Sequence, residues 1–368
     1  MDGEVPGPHS GPMETSEPTE SFDRLVRAEF APRTVYLNTA ATAVLPARTV
    51  AAMRDAVASA AAGRPADMFA DVEASREAFA RLAHVPAARV AAGASVAVYS
   101  GLVAASLPAG AEVLTAEGDF SSLVNPFHVR GDLKVRAVPL ERLAESVGPD
   151  TALVAVSSVQ SADGRIADLA ALRDAARAHG ARTLIDVSQS VGWLPLAADD
   201  FDYVVAVAYK WVLCPRGVGF LVVPGDLGGL PPLFAGWAAG ERPWDSTYGP
   251  VEELARSARR YDESPSLFSY AGARHSLALI EEIGVDAVHA HDTALADRFR
   301  RGLRSLGHEP VPAPGSAIVS VPGLGHRQQE VSRAGIEVSD RAGNLRAAFH
   351  LYNTAADVDR LLDVLSAG

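Results

Sequence analysis

The sequence predicts an α/β protein: a large unit around a mostly parallel, doubly wound sheet, followed by a smaller α+β unit. Three observations carry the prediction. Seven short apolar runs of strand length recur between residues 90 and 223. Stretches of helical length separate several of them. Beyond residue 265 the order changes to two helices, two strands and a closing helix. Strands that alternate with helices call for a sheet covered on both faces, because crossover helices join parallel neighbours.

Taken in order, residues 1–20 (MDGEVPGPHSGPMETSEPTE) combine Pro, Gly, Ser and Glu with little apolar content and read as a disordered tail. Residues 21–45 form an N-terminal segment expected to pack with the small domain. After Leu45-Pro46, Arg48 to Ala62 has a helical apolar rhythm, and Asp71 to Leu82 fits a second helix. The strand-like runs are Val90–Ala94, Glu112–Ala116, Val135–Pro139, Leu153–Ser157, Thr183–Val187, Tyr203–Ala208 and Gly219–Val223. Between them, Ser95–Leu107 and Ala167–His179 have helical length, the second stopped by Gly180 as a C-cap. The large domain is expected over 46–255, and its end from Pro224 onward is rich in Pro, Gly and Trp without a period. The small domain, 256–368, offers helices near Ala271–Ile283 and Val285–Leu306, strands at Ala317–Val321 and Arg346–Leu351, and a helix from Ala355.

Composition narrows the function. Hydrophobic residues make up 48% and charged residues 21%, which supports a packed core. A net charge of −12 argues against a nucleic-acid binder, whose phosphate contacts need clustered Lys and Arg. The single cysteine, Cys214, excludes an intramolecular disulfide framework and a cysteine-based zinc site. The first residues are acidic and lack the apolar core of a signal peptide, so a cytoplasmic protein is expected. Arg89 to Glu112 has no charged residue between its ends, but it is rich in Ala, Ser and Gly and carries Pro108. A strand, a turn and a buried helix explain it better than a membrane span.

The chemistry concentrates in residues 184–223. Asp186 closes one apolar run and Lys210 follows another, 24 positions later. In an open α/β sheet ligands bind outside the carboxyl ends of the strands, so both side chains are expected in one crevice. A buried lysine with a lowered pKa forms imines, and a carboxylate keeps a pyridine nitrogen protonated as part of an electron sink. Taken alone, the spacing also fits an unrelated surface pair.

Three segments in order, YLNTAATAVLP, DVSQSVG with YKWVLCPRGVGFL, and LRAAFHLYNTAADVDRLLDVL, resemble the class V aminotransferase family of fold-type I pyridoxal-phosphate enzymes. That family includes cysteine desulfurases, kynureninases and C–S lyases. The resemblance runs from Tyr36 to about Leu365 and implies fold type I, with a mostly parallel seven-stranded sheet, pyridoxal 5'-phosphate as cofactor and an amino acid as substrate.

Residue by residue, the resemblance implies that Lys210 carries the cofactor as a Schiff base and moves protons at the substrate's α-carbon. Asp186 would pair with the pyridinium nitrogen and Gln189 would hydrogen-bond the ring's 3-oxygen, with Ser188 of the same motif among the cofactor-binding residues. Tyr209 stands where kynureninases have a phosphate-contacting tyrosine and desulfurases usually have His. Gly93-Ala94-Ser95 lies between a strand and a helix, where backbone N–H groups and the Ser95 hydroxyl suit a phosphate. An ordinary N-cap serine is the alternative. Phe120 falls where the family stacks a residue on the cofactor ring, though a core Phe would look the same.

Arg346 matches the arginine that grips the substrate's α-carboxylate with two parallel hydrogen bonds, against the alternative of an exposed ion pair. Asn38 and Ala40 would line the same pocket. Ser157, Gln160 and Ser161 lie where relatives often have an asparagine, replaced here by Ser161. Ser264-Pro265-Ser266 resembles the segment that reaches a neighbouring subunit's phosphate, which implies a homodimer. Trp237 would line the pocket or be structurally buried.

The departures bear on the reaction. A desulfurase needs a mobile thiol in the small domain, whereas Cys214 lies four residues after Lys210 and before Pro215. A desulfurase mechanism is therefore disfavoured. The resemblance favours transamination, the activity the family is named for, while the Phe120 and Tyr209 pair leans toward the kynureninase or lyase side; β-elimination or another C–S or C–C cleavage, and epimerisation, are the alternatives. A non-catalytic binding protein of the same fold remains the reading from another class.

Overall fold

The computed structural model describes residues 18–64 and 67–367. The expected tail lies outside the described residues as far as residue 17. Its last three residues already belong to helix α1 (Pro18–Glu29). Strand β1 (Val35–Tyr36) leads to α2 (Ala47–Ala61), which starts after Pro46, and to α3 (Met68–Leu82), whose N-cap Asp67 accepts from the amides of Phe69 and Ala70.

Then β2 (Val90–Gly93), α4 (Val96–Ser106), β3 (Glu112–Ala116), α5 (Ser121–Val129), β4 (Lys134–Val138), β5 (Thr151–Ser157), α6 (Leu169–His179), β6 (Arg182–Asp186), β7 (Tyr203–Val207) and β8 (Gly219–Val222) build the large sheet and its covers. All seven expected strands are present, within two residues of their expected ends. Gly180 closes α6 in the left-handed region, at φ 71°, as a C-cap requires. The stretch after Phe120, for which the sequence suggested no element, is helix α5. Pro126 in its middle removes a backbone donor and masks the helix from a periodicity reading.

The sheet order is β2-β8-β7-β6-β5-β3-β4. Strand β8 runs antiparallel to both β2 and β7, and the other pairs are parallel. Strands β6, β7 and β8 are buried almost throughout, as expected for a sheet covered on both faces.

The chain continues through α7 (Leu267–Ile283), α8 (Val285–Ser305), β9 (Ile318–Val321), α9 (Gln328–Arg333), β10 (Ile336–Glu337), β11 (Ser339–Arg341), β12 (Asn344–Ala348) and α10 (Ala355–Ser366). Helix α7, expected in the small domain, packs against α2 and α3 instead. Ser276 bonds Thr49 at 2.7 Å, and Gly272 leaves room for Met53 and Thr49. The final strand ends at Ala348, earlier than expected, because His350 and Asn353 exchange two hydrogen bonds in a turn.

Strands β11, β12 and β9 form a three-stranded antiparallel sheet. One face, Val319, Val321, Leu345 and Ala347, shares a core with Phe299 and Leu303 of α8 and Leu361 of α10. The register sets Arg346 opposite Ser320 on one side and Ser339 on the other, so these three polar residues share the opposite face. The N-terminal segment joins this region: β1 pairs with β10 in parallel, and Asn38 bridges Ala348. Among the described residues no helix is long and apolar enough to cross a membrane; Arg89–Glu112 becomes β2, α4 and the turns around them.

Candidate active site

Chain order sets the crevice. From β3 the chain moves outward to β4 and then returns to β5 on the other side of β3, so the sheet order reverses between these strands. The carboxyl ends of adjacent strands diverge there into a ligand-sized gap. Phe120 follows β3, Ser161 follows β5, Asp186 ends β6 and Lys210 follows β7.

Lys210 is only 4% exposed. Burial lowers its ammonium pKa to about 8; Asp186 pulls it back up, and the positive charges of Arg346, Arg216 and Arg341 push it further down. The lysine sits in a closed turn: Cys214 N donates to Ala208 O at 2.9 Å, and Leu213 N to Lys210 O at 3.2 Å. Leu213 adopts φ 59°, a conformation that costs a non-glycine residue of order 1 kcal/mol and is held here by full burial.

Asp186 is buried, and burial pushes its carboxyl up while the Ser188 amide and Lys210 pull it down. Its Oδ1 accepts from Ser188 N at 2.8 Å. Its Oδ2 has no hydrogen-bond partner among the described residues, which leaves one oxygen available to a ligand. Ser188 in turn accepts from Val207 N at 2.9 Å, so its hydroxyl ties β7 to Asp186 and faces the protein.

Two aromatic rings flank the lysine. Its Nζ lies 5.2 Å from the Phe120 centroid and 5.8 Å from that of Tyr209. Phe120 is 38% exposed, a face open to the crevice rather than a core side chain. Asp119 fixes it, accepting from the amides of Phe120 and Ser157 and from the Ser157 hydroxyl and Gln160 Nε2. Ser157 and Gln160 thus serve Asp119. Arg216 also lies over the Tyr209 ring, with its Cζ 4.3 Å from the centroid.

At the far end Ser95 caps α4, accepting from Ala97 N at 3.2 Å. The Ser95 and Val96 amides make no hydrogen bond within the described residues, so this helix start offers two donors and a hydroxyl to an anion. The Ala94 amide, in contrast, reaches the Glu263 carboxylate at 3.3 Å. Gly219 lets β8 pass this turn: a Cβ there would stand 3.3 Å from Ala94 C and 3.4 Å from Ser95 N. Ser264 and Ser266 are exposed, and Ser266 bonds Ser269 at 2.9 Å.

Gln189 is placed differently from expectation. Its Nε2 donates to Ala40 O and to Ser161 Oγ, both at 2.9 Å, and its Oε1 accepts from Trp211 Nε1 at 2.8 Å. Both amide hydrogens are occupied, so none remains for a ring oxygen. Ser161 also accepts from Arg346 Nη1, through its carbonyl and through its hydroxyl at 3.2 Å. Arg346 is 1% exposed, and its Nε and Nη2 have no partner among the described residues; burial and the charge of Arg341 lower its pKa to about 9. Asn38 Oδ1 accepts from Ser339 Oγ at 2.7 Å, beside Arg346 on the small sheet. Trp237 packs with Phe69 and Trp244, at 5.5 and 5.2 Å, in a separate aromatic group.

Residues the sequence did not single out complete the site. Asp119 precedes Phe120, Trp211 follows Lys210, and His350 lies within LRAAFHLYNT, so adjacency to known positions was their signal. Asp292, which bonds His350, had none.

The donor set fits pyridoxal phosphate: a lysine of lowered pKa, a carboxylate with a free oxygen, an open ring face, a helix start and a buried guanidinium with idle donors. The family model for aminotransferase class V matches residues 35–361. An uncharacterized aminotransferase, YcbU, of Bacillus subtilis is 26% identical over 80% of this chain and 83% of its own length. An isopenicillin N epimerase of Streptomyces clavuligerus is 28% identical over the same shares. An apo cysteine desulfurase structure from Thermococcus onnurineus NA1 has a TM-score of 0.80 at 20% identity, covering 91% of this chain and 94% of the other, a likeness of fold. The chain belongs to the class V aminotransferases, a family of pyridoxal-phosphate enzymes.

Proposed function

We propose that the protein is an aminotransferase that moves a proton at the α-carbon of an amino acid, with Lys210 as the single base. Phe120, its ring centroid 5.2 Å from Lys210 Nζ and without a proton to give, supports the single base; the observation that carries the choice of transamination is the aminotransferase class V match over residues 35–361. A thiol-based route is not supported, because Cys214 is buried against Val212 O and Ala273 O and burial pushes its thiol up.

When bound, the cofactor supplies a sink for the electron pair left at the α-carbon. Lys210, partly neutral near pH 8, would take the proton from the α-carbon and deliver it to the cofactor carbon that bears the nitrogen, so that the amino group stays with the cofactor. Asp186 offers its free oxygen to the pyridine nitrogen. The start of α4 and Tyr209 hold the phosphate, and Arg346 takes the α-carboxylate on Nε and Nη2. β-Elimination is the second reading. It is favoured by the Phe120–Tyr209 pair around Lys210, which resembles the kynureninase pattern.

The reading includes a homodimer in which Ser264-Pro265-Ser266 completes the neighbouring site. Exposed Trp244 and Tyr248, 68% and 92% accessible, support a covered surface in the same part of the chain. The test is to incubate the cofactor-loaded protein with a panel of amino acids. Pyridoxamine phosphate and a 2-oxo acid indicate transamination, whereas pyruvate with ammonia or sulfide indicates elimination. Absence of a cofactor absorbance band fixed by borohydride in the wild type, or its persistence in Lys210→Ala, removes the reading.

A further inference from the structure

The hydrogen bonds around Lys210 continue out of the crevice into the protein. Asp292 of α8 and His350, just past β12, are both fully buried, and Asp292 Oδ2 lies 2.8 Å from His350 Nδ1. The other ring nitrogen, Nε2, lies 3.0 Å from the carbonyl oxygen of Trp211. A carbonyl only accepts, so Nε2 carries a proton and donates it. Asp292 and Nδ1 share the second proton, and the ring is fixed in place from both sides. Its edge also meets the Trp211 indole, with centroids 5.3 Å apart at 70°.

Trp211 is the residue after Lys210, and it carries two connections. Its carbonyl belongs to the strained turn, which Ser276 Oγ holds two residues further on by donating to Leu213 O at 2.7 Å. Its indole donates to Gln189, Gln189 donates to Ser161, and Ser161 receives Arg346. One line of hydrogen bonds therefore runs from α8 past the lysine to the arginine.

Stability is a poor reason for the pair. Asp292 Oδ1 is buried with no partner, and a carboxylate oxygen left so is costly, whereas an apolar pair of similar volume would fill the space without that penalty.

We propose that the buried Asp292–His350 pair is a positioning device: it holds the Trp211 carbonyl and, through the Trp211 indole, keeps Lys210 and Arg346 in a fixed relation. The proposal rests on Lys210 being the cofactor lysine. Neither Asp292 nor His350 touches the reacting atoms.

The test uses the cofactor-loaded protein and two capture reagents, aminooxyacetate, which carries a carboxylate, and methoxyamine, which does not. The ratio of their capture rates reads the grip of Arg346, and cofactor loss on dialysis reads the hold on Lys210. His350→Phe is expected to lower the ratio and speed cofactor loss, each by about tenfold to a hundredfold. His350→Gln returns an amide donor toward Trp211 O and is expected to recover most of both. Trp211→Phe, which keeps the carbonyl, lowers the ratio and leaves cofactor loss near wild type. Should His350→Phe fail to fold, Asp292→Asn and Trp211→Phe decide between a lowered ratio and an unchanged one. Folded variants that melt earlier but keep the wild-type ratio and cofactor retention overturn the proposal. A wild type with no cofactor band overturns instead the assignment of Lys210.

Discussion

Arg346 and Ser161 are joined across the crevice by one guanidinium nitrogen, Nη1, which donates to both oxygens of Ser161 while Nε and Nη2 stay buried and unpartnered. The small sheet is thereby tied to the loop after β5, and two donors of the fork are held ready.

Arg346→Lys keeps the charge and loses the fork, so KM for a carboxylate substrate is expected to rise about tenfold to a hundredfold, matching the 1.5–3 kcal/mol of a charged hydrogen bond. Arg346→Met should abolish that affinity yet raise the stability of the ligand-free protein by about 1–3 kcal/mol, since an unsatisfied buried guanidinium is removed. Initial rates and thermal melts of both variants check the two halves. A lower melting point in Arg346→Met would show that the arginine is fully satisfied.

The lysine sets a pH dependence. Its folded pKa, about 8, lies below the ordinary 10.5, so between those values the unfolded chain holds more proton than the folded one. Stability of the cofactor-free protein is expected to rise with pH across that window. Capture of pyridoxal phosphate needs the neutral amine, so its rate should rise through a midpoint near pH 8. In Asp186→Asn the carboxylate that raises Lys210 is gone, and the midpoint should move down. Stopped-flow reconstitution over a pH series measures it, and an unmoved midpoint removes the coupling.

Asp119 is expected to matter without touching substrate. Asp119→Ala deprives Ser157, Gln160 and the Phe120 amide of their acceptor. A loss of about 1–3 kcal/mol in stability and a cofactor held roughly tenfold less tightly are expected, measured by melting and equilibrium dialysis.

Cys214 gives the contrasting case. Its thiol is enclosed and held neutral, so Cys214→Ala should keep activity within about twofold and lose only about 1 kcal/mol of stability, the burial of a small group. Iodoacetamide should leave the folded enzyme active. Inactivation that follows labelling of Cys214 would return a thiol to the mechanism.

Strand positions were readable because a doubly covered sheet imposes continuous apolar runs, and those runs sit in the sequence undisguised from Val90 to Val222. Lys210 and Asp186 were readable because the carboxyl ends of such strands must face one crevice. What escaped were pairings across distance. The Gln189 amide was expected on a ring oxygen, but Trp211, Ala40 and Ser161 occupy it, and these partners lie 22, 149 and 28 positions away. Helix α7 carries apolar residues suited to any layer, so its period could not say that α2 and α3 receive it. Asp292 carries no local signal, and it is the fold that buries it against His350.

The joining of β1 to β10, and of Asn38 to Ser339, has a consequence for synthesis. Asn38 accepts from Ser339, 301 positions later, and β1 has its strand partner only in β10. A chain emerging from the ribosome exposes Asn38 and Ala40 first, then Lys210, and Arg346 and His350 last among these residues. The strands of the large sheet can pair while translation continues, but the crevice has no second wall until the final strand is released. Capture of the cofactor in its finished geometry therefore waits until β12 has been made, and a ribosome stalled ahead of it holds a lysine without the arginine that faces it.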